Sequence, residues 1–309
     1  MTNKEYWQKR ERQARRNRIK GDARRKKEIK EYYKYMIDEV QKEIDSFYAK
    51  YAKGENITVA EAKKKASELD IEAYQRKAKK YVKDKDFSKQ ANEEMRIYNL
   101  TMKVNRLELL KAQMNLALTA GFDELDAYFN DELTSEYMAE LKRMSGILGT
   151  TGRNVLKASS IVNASFKNAT FSERIWGYKN ELQNDLEKLL LQSLITGKHP
   201  KELAKQLQSK YDVSRHQAET LMVTEVTRVQ IDAQAESYKR NGTEKYIHLA
   251  EDKACPICLA LEKRSEKGIS VSRMMPGTNA PPMHPWCKCT TAPYVDEDEY
   301  ARWLDEVTK

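Results

Sequence analysis

The chain has 309 residues, 40% hydrophobic and 33% charged, enough apolar material for one large domain or two ordinary ones and too much for disorder throughout. No apolar run approaches the ~20 residues that span a bilayer, and no apolar stretch follows the charged start, so neither a membrane-spanning protein nor a secretory signal is expected. The net charge is +9, from 56 Lys+Arg against 47 Asp+Glu, and residues 1–35 hold 14 of the former and 5 of the latter, so the excess is an N-terminal arm suited to a polyanion or an acidic protein surface.

Of the seven prolines the first is Pro200. Nothing upstream removes a helix N–H by proline, so long helices are predicted there, and turns and short strands beyond about residue 245. Residues 5–52 read as one helix ending near Gly54. Thr58 and Glu61 form a capping-box pattern that opens a helix to about Lys83. Asp86-Phe87-Ser88 opens another, predicted to end at Gly121. That helix carries two apolar seams, one of Met95, Tyr98, Met102, Leu109, Ala112 and Leu116, the other of Ile97, Leu100, Val104, Leu107, Met114 and Leu118. Two seams predict packing against two neighbours, as in a bundle.

Gly146, Gly149 and Gly152 mark a linker. Beyond it Ser172 to Ile195 is predicted helical, with Leu182, Leu186, Leu189 and Leu190 on one side, and Thr196-Gly197 stops it. Pro200 suits the first position of the next helix, which carries Leu203 and Leu207. Ser214-Arg215-His216-Gln217 reads as a capping box opening a further helix to about Arg240. Asn241-Gly242 turns the chain, and Tyr246 to Leu249 suits a strand. The expected organisation is a basic arm over 1–35, a helical bundle over 36–145, a linker over 146–160 and a C-terminal domain over 161–309. The fold class is mainly α, an N-terminal long-helix bundle followed by a helical domain with a small α+β, zinc-stabilised C-terminal tail.

The cysteines are Cys255, Cys258, Cys287 and Cys289. With His284 they give Cys-x2-Cys, then His-x2-Cys-x-Cys. A Cys-x2-Cys knuckle points two sulfurs at one position, and zinc takes four such ligands in a tetrahedron. Five candidates for four places leave one spare. Full occupancy by Cys and His makes a structural site rather than a catalytic one with an open position. Two disulfides, free thiols in a small core, or a redox pair at Cys255 and Cys258 are the alternatives. A zinc deaminase does not fit, because His248-Leu249-Ala250-Glu251 has the wrong spacing.

Thr224, Glu225, Arg228 and Asp232 fall at helical spacings that give them a shared face. They read as a salt-bridge network positioning the cysteine tail, with a catalytic or protein-contact site as the alternative. His199, His216 and His248 read as structural. Arg10, Arg12, Arg15, Arg16, Arg18, Lys20, Arg24, Arg25, Lys26 and Lys27 surround the axis of a helix rather than forming one stripe. They suit nonspecific binding of double-stranded DNA through its phosphates, docking on an acidic protein, or a solvated, partly frayed helix. Tyr6 and Trp7 could stack on bases or anchor in a protein groove.

Gly277 to Cys289, with Pro281-Pro282-Met283-His284-Pro285-Trp286-Cys287-Lys288-Cys289 at its core, resembles the signature of the Mu F-like phage head morphogenesis (minor head protein) family. Phe171 to Trp176, Thr224-Glu225 with Arg228-Val229, and Asp252 ahead of Cys255-Pro256-Ile257-Cys258 resemble its other motifs in the same order, over about residues 165–295. Lys288 stands where Arg is usual, and Glu262-Lys263-Arg264 where a Gly-containing turn is common. The resemblance implies a minor capsid protein of the virion, associated with the portal during procapsid assembly and linked to DNA packaging or ejection. Its implied partners are the portal protein and scaffold or major capsid protein, with no membrane, and its implied location is inside the head near the portal, after the host cytoplasm during assembly. It implies no enzymatic activity. A metal-dependent nuclease is the enzymatic alternative, but only His284 joins the cysteines and no Asp/Glu/His set at catalytic spacing accompanies it. A zinc-containing nucleic-acid-binding regulator would explain the arm and the cysteines but not the ordered motifs.

Overall fold

A computed structural model describes residues 3–51, 89–148, 155–196, 200–294 and 296. Among them are α1 (Asn3–Tyr51), α2 (Lys89–Leu148), α3 (Val155–Val162), α4 (Phe171–Thr196), α5 (Pro200–Arg240), β1 (Lys245–Leu249), α6 (Pro256–Arg264), β2 (Ile269–Ser270) and β3 (Thr290–Pro293). The strands form one antiparallel sheet in the order β2-β1-β3. The mainly helical class with a small α+β tail is thus the observed one. No described helix is long and apolar enough to cross a membrane. The expectations at Thr58 to Lys83, Asp86 to Ser88, Gly149, Gly152, Gly197 and His199 lie outside the described residues. So do the side chains of both predicted seams before Met114.

The chain forms two compact units, each discontinuous in sequence. One comprises described residues of 32–122 and 179–214, the other those of 1–31, 123–178 and 215–309. The cause is the length of the helices. Without proline to stop them, α1, α2, α4 and α5 each contribute a stretch to both units.

Among the described residues, the first of these units is a bundle of four helical stretches. Its core repeats at helical spacing: Tyr33, Met36, Val40 and Ile44 from α1, Leu110, Met114, Leu118 and Phe122 from α2, Leu182, Leu186 and Leu190 from α4, and Leu203, Leu207 and Tyr211 from α5. Leu116 is 71% exposed, so the predicted first seam does not hold there. Nor does the helix end at Gly121. A Cβ on Gly121 would lie 2.2 Å from the Met36 Cγ, so the glycine serves close packing of α1 on α2 inside a continuing helix. The box expected at Ser214 does not open a helix either: α5 is continuous, and the Ser214 hydroxyl hydrogen-bonds the Tyr33 hydroxyl at 2.8 Å. A capping box instead opens α4. Thr170 N–H donates to the Glu173 carboxylate at 2.7 Å, and Glu173 N–H to the Thr170 hydroxyl at 3.1 Å.

The second unit is centred on α5, where every residue from Leu221 to Ile231 is buried. A helix buried all round must satisfy its polar groups internally. Residues 3–31 of α1 do part of this, Arg18 donating to the Gln230 side-chain oxygen at 3.2 Å, and are themselves held on α2 and the sheet. Arg25, 1% exposed, bonds Asp22 at 3.1 Å, Glu132 at 2.9 Å and also Glu136. Glu11 takes Arg143 at 2.7 Å, Arg18 at 3.2 Å and the Thr290 hydroxyl at 3.1 Å. Arg143 grips Glu140 with two hydrogen bonds, at 2.8 and 2.7 Å. Trp7 packs on Ile247, Leu249 and Ala292.

Arg25→Ala takes one partner from each of three carboxylates, and breaking a buried pair costs about 3–5 kcal/mol; because Lys288, Arg24 and Gln230 remain on them, urea denaturation is expected to show a loss at the lower end of that range. Burial pushes the Glu140 carboxyl up, but the Arg143 hydrogen bonds and charge outweigh it and hold Glu140 below the ordinary value. Its contribution is therefore complete above the unfolded value of about pH 4.3 and is lost as pH falls through the lower folded value. Glu140→Gln is expected to lower the urea midpoint at neutral pH and to flatten its decline as pH falls below the unfolded value of about 4.3.

Candidate functional site

The cysteine cluster is assembled from α6, the loop before β3 and the central strand. Cys255 caps α6 and Pro256 opens it, so Cys255 and Cys258 sit on the first turn with the geometry of a knuckle. The second half is a turn at His284-Pro285-Trp286-Cys287, closed by Cys287 N–H donating to the His284 carbonyl at 3.2 Å. Trp286 holds a left-handed φ of 68°, unfavourable for a residue with a side chain. Neighbours hold it there. Its N–H donates to the Thr224 hydroxyl at 3.0 Å, and the Lys26 ammonium lies 4.2 Å above its ring. His216 stacks on the same ring at 5.9 Å.

The Cys258 sulfur lies 3.5 Å from His284 Nε2 and 3.8 Å from the Cys287 sulfur. Cys255, Cys258 and His284 bring their ligand atoms within 4.8 Å of one another. Nδ1 of His284 is 2.8 Å from the Pro285 carbonyl. A proton on Nδ1 leaves the Nε2 lone pair facing the sulfurs, the arrangement a metal-binding imidazole needs. All four cysteines are free thiols, and Cys258, Cys287 and Cys289 are buried together beside Ala250, Ala254 and Met283. This cluster could hold a metal ion.

His248 was read as structural, and its position gives it a ligand's surroundings. In β1 alternate residues face opposite sides. Ile247 and Leu249 turn toward Trp7, while Tyr246 joins Tyr238 and Ile231 on the other face. His248 shares the Tyr246 side and lies within 4.8 Å of the Cys258 and Cys289 sulfurs. It is 1% exposed, and neither ring nitrogen has a hydrogen-bond partner. Burial lowers its pKa to about 4, so the ring is neutral at neutral pH. A histidine at mid-strand leading into Cys-x2-Cys was the available signal.

The four residues expected to position the tail divide their work. Thr224 holds Trp286, as above. Thr227, not foreseen, donates to the Cys287 carbonyl at 2.8 Å. Gln234, also not foreseen, donates to the Thr290 hydroxyl at 3.0 Å and accepts from the Thr291 hydroxyl at 2.6 Å. Arg228 turns elsewhere. It donates to the Ile161 and Val162 carbonyls at the end of α3, each at 2.9 Å, and pairs with Glu225 at 2.6 Å and Asp232 at 3.0 Å. Arg228 thus satisfies terminal carbonyls of a short helix, and Arg174 joins it on Glu225.

The ten basic residues of the arm separate by face. Arg15 pairs with Asp252, Arg18 with Glu11, Arg24 with Glu132, and Arg25 and Lys26 are engaged as described. Arg10, Arg12, Arg16, Lys20 and Lys27 are exposed. With Lys9, the last four lie within about 80° of the helix circumference over about 27 Å. Pairing thus sorts residues that surround the axis into a set held by carboxylates and carbonyls, Arg24 among them though exposed, and an outer stripe.

No curated protein and no solved structure matches the chain. Residues 184–292, about a third of it, match the family model described as Phage Mu protein F like protein. The matched span holds Thr224-Glu225, Arg228-Val229, Asp252 to Cys258 and Gly277 to Cys289, and begins after Phe171 to Trp176. Over residues 184–292 the chain is therefore similar to the Mu F-like phage head protein family.

Proposed function

We propose that the chain is a minor structural protein of a tailed-phage head, placed at the portal inside the virion, which acts in procapsid assembly and in DNA packaging or ejection by binding rather than by turnover. Its protein partners in this reading are the portal and, in the host cytoplasm during assembly, scaffold or major capsid protein. It holds double-stranded DNA nonspecifically through the outer face of α1. The family similarity of residues 184–292 supports the head assignment. The observation that carries the DNA reading is the stripe of Lys9, Arg12, Arg16, Lys20 and Lys27. No acidic residue interrupts it between positions 12 and 27 on that face, because Asp22, the one acid in that interval, is buried. Spaced cations with no partner among the described residues are suited to a row of phosphates.

The tail in this reading is stabilised by structural zinc held among Cys255, Cys258, His284, Cys287 and Cys289. Bonds of about 2.3 Å to sulfur and about 2.0 Å to nitrogen set tetrahedral edges of about 3.8 Å between sulfurs and about 3.5 Å between sulfur and nitrogen. The spacings from Cys258 to Cys287 and to His284 are 3.8 and 3.5 Å. The ion would fix a segment whose strands are short and whose loops are long.

The test is a gel shift of random-sequence duplex DNA over a salt series. The full chain is expected to retard intact DNA at low salt. Replacing Arg12, Arg16, Lys20 and Lys27 by Ala is expected to weaken binding to all sequences and to reduce the log–log salt slope by about 3–4. An unchanged slope would sink the DNA reading and turn the stripe toward an acidic face of the portal; degraded DNA would restore the nuclease.

A further inference from the structure

We propose that the cysteine cluster holds two zinc ions rather than one, with His248 as a ligand. One ion takes Cys255 and His284, the other His248 and Cys289, and the thiolates of Cys258 and Cys287 bridge them. The inference rests on the zinc reading above and goes beyond it in the number of ions and in the ligand set.

Its starting point is the His248 ring. A buried imidazole with two partnerless nitrogens is costly and rare in a folded protein. Here the neighbours nearest to it are the sulfurs of the cysteine cluster. His248, Cys258 and Cys289 place their ligand atoms within 4.8 Å of one another, as do Cys255, Cys258 and His284. Cys258 belongs to both groups and lies between them. Cys287 is the remaining thiolate, its sulfur 3.8 Å from that of Cys258.

Counting bonds leads to the same arrangement. Two tetrahedral ions need eight bonds, and six ligands supply eight only when two of them bridge. Imidazole does not bridge two ions through one nitrogen, so the bridges are thiolates. Cys258 is shared already, and Cys287 stands beside it. A single ion would use four of the six ligands and leave two buried groups without a metal. Charge permits the pair: four thiolates carry four negative charges, which two zinc ions cancel while the imidazoles stay neutral.

The experiment is metal stoichiometry on the full chain, produced with added zinc and dialysed, with zinc by mass spectrometry and protein by amino-acid analysis. Two zinc ions per chain are expected, and His248→Ala and Cys289→Ser are each expected to retain one with unchanged helical circular dichroism. One ion per wild-type chain overturns the two-metal site while leaving the zinc reading intact. No zinc overturns both. Two ions retained in His248→Ala would remove His248 from the ligand set. Should the variants not fold, titration of metal-stripped wild type with cobalt(II) decides the number: visible absorption saturating at two equivalents supports the pair, and at one equivalent refutes it.

Discussion

The buried length of α5 imposes the constraint on which the second unit depends. From Leu221 to Ile231 the helix has no solvent-facing side, yet Thr224, Glu225, Thr227, Arg228 and Gln230 lie within that run, with Gln234 beyond it. Each must find a partner inside the protein. Thr224 and Thr227 take the backbone of the cysteine loop, Gln234 takes β3, Gln230 takes Glu136, and Arg228 takes the end of α3. Polar groups that would destabilise an ordinary core helix thus fix the register of the surrounding segments. The loop bearing Cys287 is tied to α5 through backbone atoms, which leaves its sulfurs free to converge on those of α6.

The same economy governs the charge of α1. Residues 3–31 carry most of the chain's positive excess, and the fold divides it. Arg15, Arg18, Arg24 and Arg25 meet carboxylates within the unit, while Arg12, Arg16, Lys20 and Lys27 stay outside. Arg15, Arg18 and Arg25 present planar guanidinium groups to two or three acceptors each, as a lysine could not. Lys288 adds a contact from the cysteine loop to Asp22 at 2.9 Å, so the position where Arg is usual in the resembling family still carries a working cation.

Much of this was legible in the sequence. The leucines of α4, the proline opening α5, the turn at Asn241-Gly242 and the strand from Tyr246 follow local rules, and they fold as read. The Cys-x2-Cys and His-x2-Cys-x-Cys spacings brought their side chains together. What escaped depended on neighbours distant in sequence. Gly121 stops no helix because Met36 occupies the space of its missing Cβ, and Ser214 caps nothing because Tyr33 claims its hydroxyl. The partition of the basic residues required knowing which acids on α2 face them. His248 required a strand's alternation combined with the position of a loop forty residues away.

The interlock of α1 with the cysteine loop has a consequence for the order of events on the ribosome. Glu11 waits for the Thr290 hydroxyl, Trp7 for Ala292, and Lys26 for the ring of Trp286. These partners are separated by most of the chain, so the second unit closes only after nearly all of it has been translated. Contacts of such separation are slow to form. Until then Arg24 and Arg25 can already meet Glu132 and Glu136 of α2, whereas Arg15 lacks Asp252 and Trp7 lacks the sheet that covers it.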